Sequence, residues 1–403
     1  MGGGNDLAAT IYLDNHATTP MDPLVVEAML PYFTQHFGNP GSIGHSFGDT
    51  ARAAVEEARK NIGKSLNVSP QEIVFTSGAT ESNNLAIRGI ADRFRQDKGH
   101  FVSMTTEHKA VLDPLSRLEK NDFDVTLIPP IQASSKRSGM LELDALSEVL
   151  RDDTRLVSIM LANNEIGTIQ PIQEVVAMCH ERNVTVHCDA TQAVGKMQLD
   201  LQALDIDLLS LSGHKIYGPR GVGALIVRRR RPRIRLQPLI EGGGQEQGRR
   251  SGTLNVPGIV GLAKALQLCD QHRESETQRI RELRELLQNG IQAGLDGVSL
   301  NGPDYASDSG DAQRLEGNLN LRFDGVDGEA LMMNMAEVAV SSGSACTSAN
   351  PEPSHVLQAI GLTEDETRSS LRFGIGRFNT REDIETAIEV VVSAVGRLRA
   401  MRS

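Results

Sequence analysis

A lysine that directly follows an apolar run marks the centre of this sequence. The stretch Leu208-Leu209-Ser210-Leu211-Ser212-Gly213-His214-Lys215 predicts a short buried strand that ends in small and hydrogen-bonding residues. In open α/β sheets, ligands bind at the carboxyl ends of the strands. We therefore expect Lys215 at the edge of a sheet, where a ligand can reach it.

The sequence around this stretch is typical of an α/β protein. Between residues 70 and 230, short β-branched runs alternate with amphipathic stretches, as in a mostly parallel sheet with crossover helices. The pattern predicts about seven strands, at residues 73–76, 101–104, 125–128, 156–160, 184–188, 208–212 and 223–227. Helices are predicted at residues 81–96, 110–121 and 172–182. The fold class is therefore α/β.

The pattern changes after residue 235. A glycine-rich stretch, Gly242-Gly243-Gly244, leads into a long predicted helix over residues 260–295. The remainder mixes short strands at 318–322, 338–341 and 371–373 with helices near 327–336 and 381–400, which predicts a small α+β domain. We expect an N-terminal arm over 1–20 that packs with the small domain, a large domain over 21–260 and the small C-terminal domain over 261–403.

The composition excludes several classes of protein. The 403 residues carry a formal net charge of −11, so the surface as a whole repels nucleic acid and anionic membranes. Four cysteines without a C-x-x-C pair cannot build a disulfide framework or a zinc ribbon, which indicates a reducing compartment. No run approaches the ~18 apolar residues of a membrane helix, and the pattern of a signal peptide is missing. We therefore expect a cytoplasmic protein.

Two nucleotide-binding patterns fail on closer inspection. Gly63-Lys64-Ser65 resembles the end of a Walker A loop, but Ala58 stands where its first glycine must be and the residues between are predicted to be helical. Gly221-Val222-Gly223 begins a dinucleotide fingerprint, but the third glycine position is Ile226, in a predicted strand. Neither segment predicts a nucleotide site.

Two further groups follow predicted strands and suit pyridoxal phosphate. Asp189 directly follows the apolar part of one predicted strand, and we expect it beside Lys215. Together they provide what this cofactor needs: a lysine for covalent attachment and a carboxylate that keeps the ring nitrogen protonated. Ser77-Gly78-Ala79-Thr80-Glu81 opens a helix, so its free amides and the Thr80 hydroxyl form an anion site. Taken alone, Lys215 is equally well explained as a solvated surface lysine, and residues 77–81 as an ordinary helix N-cap. Together they favour the cofactor.

Five motifs spread over almost the whole chain carry a family resemblance. They are Tyr12-Leu13-Asp14-Asn15-His16-Ala17-Thr18-Thr19-Pro20, Phe75-Thr76-Ser77-Gly78-Ala79-Thr80-Glu81-Ser82, Thr106-Glu107-His108-Lys109-Ala110-Val111, Ser212-Gly213-His214-Lys215 and Ser341-Ser342-Gly343-Ser344-Ala345-Cys346-Thr347-Ser348. These motifs resemble those of cysteine desulfurases of the NifS/IscS-like group, in the class V branch of the pyridoxal-phosphate-dependent aminotransferases. The resemblance implies a type I pyridoxal-phosphate transferase fold and a cofactor-binding role for the large domain.

The resemblance implies roles for residues around the cofactor ring. Lys215 carries the cofactor covalently, and Asp189 pairs with the ring nitrogen. His108 stacks on the ring and helps to move protons. Gln192 is similar to the family residue that bonds the phenolic oxygen of the cofactor ring, and Asn164 is similar to the residue next to that oxygen.

Other implied roles concern the phosphate, the substrate and a second subunit. Thr253 matches a phosphate contact from the other subunit, so the resemblance implies a homodimer. Arg372 matches the clamp for the substrate carboxylate, with Asn164 also at the substrate, and a guanidinium suits this task because it bonds a carboxylate at two points. The phosphate contacts within one chain are Ala79, Thr80, Ser212, Gly213 and His214.

Cys346 is the expected nucleophile. It lies in a run of Ser, Gly, Ala and Thr, which is too small and polar to bury an inert thiol, and an exposed thiol that ionises suits persulfide chemistry. By contrast, Cys179 and Cys269 are expected to pack in the core. The resemblance implies that L-cysteine is converted to L-alanine and a persulfide on Cys346. Its sulfur then passes to an iron–sulfur scaffold or a tRNA-thiolation relay, and Cys346 itself is a candidate transient iron–sulfur ligand.

Two other classes of function stay open at this point. A selenocysteine lyase or an aminotransferase would share the fold, but neither needs the loop cysteine at position 346. A non-catalytic protein could instead hold a cluster through Cys346, and the absence of bound pyridoxal phosphate in the purified protein would favour it. The visible absorption spectrum separates these classes, because the lysine-bound cofactor is yellow.

Overall fold

A seven-stranded sheet forms the centre of the computed structural model, which describes residues 10–229, 233–307, 310, 313–342 and 353–401. The strands in this part of the chain are β1 (Ile11–Tyr12), β2 (Ile73–Thr76), β3 (His100–Met104), β4 (Asp124–Ile128), β5 (Thr154–Met160), β6 (Thr185–Asp189), β7 (Leu208–Ser212), β8 (Gly223–Val227), β9 (Val298–Leu300), β10 (Asn318–Phe323), β11 (Val338–Ala339) and β12 (Ser370–Gly374).

Helices cover both faces of the sheet and continue beyond it. They are α1 (Pro23–Met29), α2 (Pro31–Thr34), α3 (Ser46–Leu66), α4 (Ala79–Ala91), α5 (Lys109–Glu119), α6 (Leu143–Val149), α7 (Ile172–Glu181), α8 (Leu201–Leu204), α9 (Val256–Gly294), α10 (Gly328–Met333), α11 (His355–Ala359), α12 (Glu364–Arg368) and α13 (Arg381–Ala400). Among the described residues, none of these helices is both long and apolar enough to cross a membrane.

The order of the central sheet is β2-β8-β7-β6-β5-β3-β4. Strands β3 to β7 pair in parallel, and only β8 runs antiparallel to its neighbours β2 and β7. The predicted fold class and the predicted mostly parallel sheet are therefore confirmed. Strands buried on both faces need apolar residues at every position, which explains why these strands stood out in the sequence.

Successive residues of a strand contribute to different cores. Val74 packs with Leu85 and Leu115 under α4 and α5, whereas Ile73 and Phe75 face the larger core on the other side. Helices α3 and α9 cover that second face. The Walker-like segment at residues 63–65 lies inside α3, so its amides are used by the helix.

A second hydrophobic core lies around β9, β10 and β12, which form a separate antiparallel sheet. The long helix α9 spans both regions, because Cys269 belongs to the first core and Leu283 to the second. Residues near the N-terminus join the second core: β1 pairs with β11, and Leu13 is fully buried there. The domain boundaries at residues 20 and 260 stay predictions.

Some helix limits differ from the expected ones. The long helix begins at Val256 rather than near 260, because the Asn255 side chain caps it by accepting the N–H of Gly258 at 3.1 Å. Helix α4 ends at Ala91, and a short 3-10 turn, Asp92–Phe94, continues it. Cys179 and Cys269 are buried as predicted.

Candidate active site

The registers of the central sheet bring the ends of three strands together. Gly223 of β8 lies opposite both Thr76 of β2 and Ser212 of β7. On the other side of β7, Ser210 pairs with Asp189 of β6. Because β2, β6 and β7 run in the same direction, their carboxyl ends share one edge of the sheet, and that edge is where such folds bind ligands.

Lys215 lies at this edge, in the 3-10 turn Gly213–Lys215 that follows β7. Its amine donates hydrogen bonds to the carbonyl oxygens of His16 and Ala17, at 2.6 Å each. Burial and the positive charge of Arg372 lower the pKa of the amine to about 8. A fraction of Lys215 is therefore uncharged near neutral pH, and the uncharged amine is the form that attacks a carbonyl group.

Asp189 is the last residue of β6 and is 6% exposed. Its Oδ2 accepts a hydrogen bond from Asn83 Nδ2 at 2.7 Å, and its Oδ1 accepts the N–H of Thr191 at 3.0 Å. Both donors are neutral. The carboxylate is thus oriented by its neighbours and can still take a cationic partner, as the protonated ring nitrogen of pyridoxal phosphate would be.

The turn before α4 brings backbone and side chains close enough to hold an anion. Gly78 has a φ of 150°, which favours glycine, and a Cβ built on Gly223 would come within 2.7 Å of the Gly78 Cα. Ser212 reaches the same turn from β7. The N–H groups of Ala79 and Thr80 lie in the first helical turn, where amides have no partner within the helix. A phosphate fits these donors.

Gly213 and His214 extend the turn after β7. His214 Nδ1 lies 3.3 Å from Thr18 Oγ1, and the His214 carbonyl oxygen accepts both the N–H and the hydroxyl of Thr19 at 2.9 Å. Burial, with the nearby charge of Lys215, lowers the pKa of the His214 imidazole to about 4. The ring is neutral at physiological pH and can donate one hydrogen bond.

His108 forms the N-cap of α5, because its Nδ1 accepts the N–H of Ala110 at 3.0 Å. A neutral imidazole whose Nδ1 accepts carries its proton on Nε2. Desolvation by the surrounding protein lowers the pKa of this ring, so the neutral form dominates near pH 7. A cleft of about 550 Å³ opens beside His108 and Thr80, and it gives a ligand access to both side chains.

Arg372 and Asn164 come together from different parts of the chain. Arg372 of β12 donates through Nη1 to the Asn164 carbonyl oxygen at 3.0 Å and through Nη2 to Asp14 Oδ1 at 2.7 Å. Arg372 is 4% exposed, and its Nε has no partner among the described residues. Asp14 therefore orients a buried guanidinium that keeps a donor for another group.

Gln192 lies beside Lys215, in a network that the sequence did not predict. Its Nε2 donates to the His16 carbonyl oxygen at 2.9 Å, and its Oε1 accepts from Lys196 Nζ at 2.8 Å. His16 Nδ1 lies 3.1 Å from the same Oε1. Gln192 is 4% exposed and His16 is 2% exposed, whereas Lys196 is half-buried and lines a cavity together with His16 and Lys215.

Two predicted residues are not placed at this edge. Thr253 lies in an exposed segment before α9, and its predicted contact with the phosphate of a second subunit stays a prediction. Cys346 lies outside the described residues. The predicted iron–sulfur role of Cys346 therefore stays a prediction, and the described residues contain no cluster of three or more His, Cys, Asp or Glu that could hold a metal ion.

The described residues that flank Cys346 contact the site. The N–H of Arg372 donates to the Ser341 carbonyl oxygen at 2.7 Å. On the other flank, His355 Nε2 lies 2.9 Å from the carbonyl oxygen of Glu107, the residue before His108. The chain thus enters and leaves the Cys346 segment beside residues that are predicted to bind the substrate and the cofactor.

Several site residues escaped sequence reasoning. Asn83 directly follows the motif that ends at Ser82, and its position one helical turn after Ala79 was the signal that could have found it. Lys196 follows Gln192 by four residues, but that segment is a turn and no helical period applies. The Asp14 side chain could not be matched to Arg372 from local sequence, because the pairing depends on the fold.

These residues fit pyridoxal phosphate. The edge provides an amine of lowered pKa at Lys215 and a buried carboxylate at Asp189 that has no cationic partner among the described residues. It also provides the first-turn amides of Ala79 and Thr80 beside the Gly78 turn. The amine suits covalent attachment, the carboxylate suits the ring nitrogen and the amides suit the phosphate.

Comparison with known proteins agrees with this geometry. The family model described as "Aminotransferase class-V" matches residues 11–386. The chain belongs to the class V aminotransferase family. Members of this family depend on pyridoxal phosphate, so the predicted cofactor and the predicted family are confirmed.

Relatives and solved structures refine the position of the chain within class V. The chain is 51% identical over 392 residues to "Cysteine desulfurase IscS" of Anaeromyxobacter dehalogenans (strain 2CP-C). The aligned region covers 97% of this chain and 94% of that relative. A solved "NifS-like protein" has a TM-score of 0.87 at 34% identity and covers 96% of this chain and 100% of its own. "SspA in complex with cysteine" has a TM-score of 0.80 at 37% identity, with coverages of 92% and 100%.

Proposed function

We propose that this class V enzyme is a cysteine desulfurase that converts L-cysteine to L-alanine and carries the removed sulfur as a persulfide on Cys346. The observation that carries the proposal is the meeting of Lys215, Asp189 and the Gly78 turn at one sheet edge, in a chain 51% identical to a cysteine desulfurase. That geometry supports cofactor chemistry on an amino acid. The similarity of the relatives supports cysteine as that amino acid.

Each residue at the sheet edge has a distinct task in this proposal. Pyridoxal phosphate, when bound, withdraws electrons from the α-carbon of the amino acid. Lys215 holds the cofactor and accepts a proton at Nζ, Asp189 keeps the ring nitrogen protonated, and His108 presents its Nε2 to the cleft. Ala79, Thr80, Ser212, Gly213 and His214 bind the phosphate.

Arg372 and Asn164 orient the substrate. The guanidinium binds the carboxylate of L-cysteine, since its Nε is buried and unpartnered among the described residues. Asp14 holds Nη2 and the Asn164 carbonyl oxygen holds Nη1, so the guanidinium plane is fixed before the substrate arrives. The α-carbon of the amino acid then lies toward Lys215.

The sulfur step needs a protein thiol. The Cys346 thiolate attacks the substrate sulfur, a sulfur–sulfur bond forms and the carbon–sulfur bond breaks. The electron pair of that bond stays on carbon, which takes up a proton and becomes the methyl group of L-alanine. The contacts of Ser341 with Arg372 and of His355 with Glu107 support this role, because they hold both flanks of Cys346 near the substrate residues.

We infer that two copies of the chain form the working enzyme. Residues 24–47 expose a dense group of large apolar side chains, more than a surface in water normally carries. Burying this patch against a second copy would stabilise a dimer, and a dimer is the assembly that a shared phosphate site with Thr253 requires. The exposed fractions are Leu24 50%, Val26 39%, Leu30 57%, Phe33 59%, Phe37 64%, Ile43 87% and Phe47 51%.

A subunit-mixing experiment tests the shared site. Lys215→Ala and Thr253→Ala proteins, each inactive alone, form mixed dimers in which one site carries both defects and the other carries neither. We expect alanine production to return after mixing. If exchange is verified by mass and no activity returns, Thr253 serves the site of its own chain.

The remaining parts of the proposal concern organisation and sulfur acceptors. We place the arm over 1–20, the cofactor-binding domain over 21–260 and the small domain over 261–403, supported by the pairing of β1 with β11. The acceptor is an iron–sulfur scaffold or a tRNA-thiolation relay, with Cys346 as a transient cluster ligand. The net charge of −11 favours an acceptor with a basic docking surface. Free Cys179, Cys188 and Cys269 support a reducing cytoplasm.

The activity itself is tested with the purified protein, L-cysteine and a thiol reductant. We expect a yellow protein that releases L-alanine and sulfide in equal amounts, because the reductant discharges the persulfide. Serine and alanine as substrates serve as controls and should release no sulfide. A yellow protein that instead exchanges amino groups with a keto acid, without sulfide, would be an aminotransferase.

A further inference from the structure

A polar network beside Lys215 joins the side chains of Lys196, Gln192 and His16, and the proposed chemistry uses only Gln192. Lys196 Nζ donates to Gln192 Oε1 at 2.8 Å, and His16 Nδ1 lies 3.1 Å from the same oxygen. Gln192 Nε2 donates to the His16 carbonyl oxygen at 2.9 Å. That oxygen also accepts the Lys215 amine at 2.6 Å.

These partners fix which way the Gln192 amide points. Lys196 Nζ has N–H groups in both its charged and its neutral form, and it donates one of them to the amide oxygen. A backbone carbonyl can only accept, so His16 requires the amide nitrogen. The nitrogen is therefore held on the side of Lys215, and since it carries two hydrogens, one is left to donate to another acceptor.

His16 strengthens this orientation. Burial, together with the charges of Lys196, Arg372 and Lys215, lowers the pKa of the His16 ring well below its usual range, so the ring is neutral. Its two nitrogens face Gln192 Oε1 and the Gly317 carbonyl oxygen, at 3.1 Å and 3.2 Å. The neutral ring carries one hydrogen, so it donates to only one of these two oxygens at a time. In the tautomer with the hydrogen on Nδ1, both Lys196 and His16 donate to Oε1 and hold that oxygen in place.

Lys196 is an unusual residue for this place, because no carboxylate lies within ion-pair distance of it among the described residues. Burial and the nearby cations Lys215 and Arg372 lower the pKa of its amine to about 7, against a small opposing influence of the Cys269 thiol. Lys196 is half-buried, and among the described residues its amine has a hydrogen bond only to the Gln192 amide oxygen. Partial removal of an amine from water without a carboxylate partner costs stability. A methionine would fill similar space without that cost, which indicates that the amine serves the site.

We propose that Lys196 and His16 are positioning residues that hold the Gln192 amide nitrogen toward the ring oxygen of pyridoxal phosphate. The inference rests on the proposed function, in which Gln192 bonds that oxygen. Donation from Gln192 stabilises the ionised ring oxygen. Lys196 polarises the amide through its hydrogen bond to Oε1, most strongly in its charged form, so that the amide nitrogen donates more strongly. Lys196 itself does not touch the cofactor in this arrangement.

The test is a pH titration of the visible absorption of the holoenzyme, which reports the ionisation of the bound cofactor and needs no turnover. Lys196→Met removes the donor and the charge while keeping the length of the side chain. The midpoint of the titration should rise by about one pH unit, because the ionised ring oxygen loses its oriented donor and a cation nearby. His16→Ala should shift it the same way by less, since Oε1 keeps Lys196.

A matched control and a double variant separate positioning from other effects. Lys60→Met changes a lysine whose side chain is 65% exposed on α3, and it should leave the midpoint unchanged. In a Gln192→Ala background, Lys196→Met should cause no further shift, because its effect runs through the amide. Thermal unfolding of each holoenzyme confirms that the variant is folded.

The outcomes distinguish this inference from the proposed function. An unchanged midpoint in Lys196→Met, in a protein that still makes alanine from cysteine, would overturn the positioning role alone. An equal shift with and without Gln192 would also overturn it, because Lys196 would then act by its charge alone. A titration that shifts as expected in a protein that makes no alanine would refute the desulfurase function and leave the positioning role standing.

Discussion

Two parts of the site are built in different ways. One is the sheet edge, with Asp189 and Lys215, and the other is the substrate side, which consists of Arg372 with its partners Asn164 and Asp14. At the sheet edge, Asp189 and Lys215 follow neighbouring parallel strands, and strand register alone places them together. On the substrate side, Asp14 and Arg372 meet although they lie 358 positions apart in the chain. Local strand order thus places Asp189 and Lys215 together, and contacts with the N-terminal arm then orient the Lys215 amine. The pairing of Arg372 with Asp14 exists only once that arm has joined the second core.

This difference suggests that the sheet edge serves the chemical step, whereas the substrate side serves the binding of cysteine. Asp189 and Ser212 end strands that are buried on both faces, and the other cofactor residues lie in turns and helix ends that pack directly on those strands. The substrate residues depend on a few polar contacts between separate parts of the chain, such as that of Arg372 with the Asn164 carbonyl oxygen. Variants on the two sides should therefore fail differently: those at the edge lose chemistry, and those on the substrate side lose affinity for cysteine.

The largest effect is expected at the edge. Lys215→Ala removes the amine that follows β7 at the sheet edge and serves covalent attachment and proton transfer. Positioned proton transfer alone accounts for roughly 10²–10⁴-fold in rate. We expect loss of the yellow colour and of alanine release, with the fold retained by circular dichroism. Alanine release near the normal rate would show that Lys215 is not the cofactor lysine.

A smaller and different effect is expected on the substrate side. Arg372→Lys keeps the charge but loses the planar fork, so the KM for cysteine should rise by roughly ten- to a hundred-fold, the value of one or two charged hydrogen bonds. The kcat should fall much less. The matched control is Arg368→Lys, whose exposed ion pair with Glu364 lies away from the site. An unchanged KM would remove Arg372 from the substrate site.

The two sides are also linked by charge, which predicts a modest shift in pH dependence. Lys215, with a pKa of about 8, must lose its proton before it bonds the cofactor, so cofactor uptake by the apo-protein should speed up with pH and level off above about 8. Arg372→Met removes a cation that disfavours the charged amine, so the midpoint should move to higher pH. A stopped-flow absorbance profile measures it. Arg368→Met should leave the midpoint in place, and a downward shift in Arg372→Met would contradict the coupling.

Much of the sheet edge was predictable from sequence for a physical reason. Apolar runs with turn residues between them give both the strands and their ends, so the seven strands and the places of Asp189 and Lys215 followed from pattern. Helix α6 was not predicted, because its seven residues include only one that is buried and carry a weak apolar period. The roles of His108 and Gln192 came from family resemblance rather than from pattern.

The substrate side and the network beside Lys215 were beyond local pattern. Nothing near Asp14 in the sequence indicates that its carboxylate pairs with a residue of β12. Similarly, the contact of His16 with Gln192 crosses 176 positions. Such polar contacts depend on how the arm lies across the finished sheet, and their geometry appears only in the folded chain.

The central claim is that sulfur leaves cysteine by way of Cys346, and one measurement tests it most directly. The wild-type protein is treated once with L-cysteine, without reductant, and the peptide that contains Cys346 is weighed by mass spectrometry beside the same peptide from Cys346→Ala. The account predicts one added sulfur atom on the wild-type peptide, none on the variant, and a variant that still binds the cofactor and changes colour with cysteine but releases almost no alanine. Undiminished release of alanine and sulfide by Cys346→Ala would contradict it and identify a lyase.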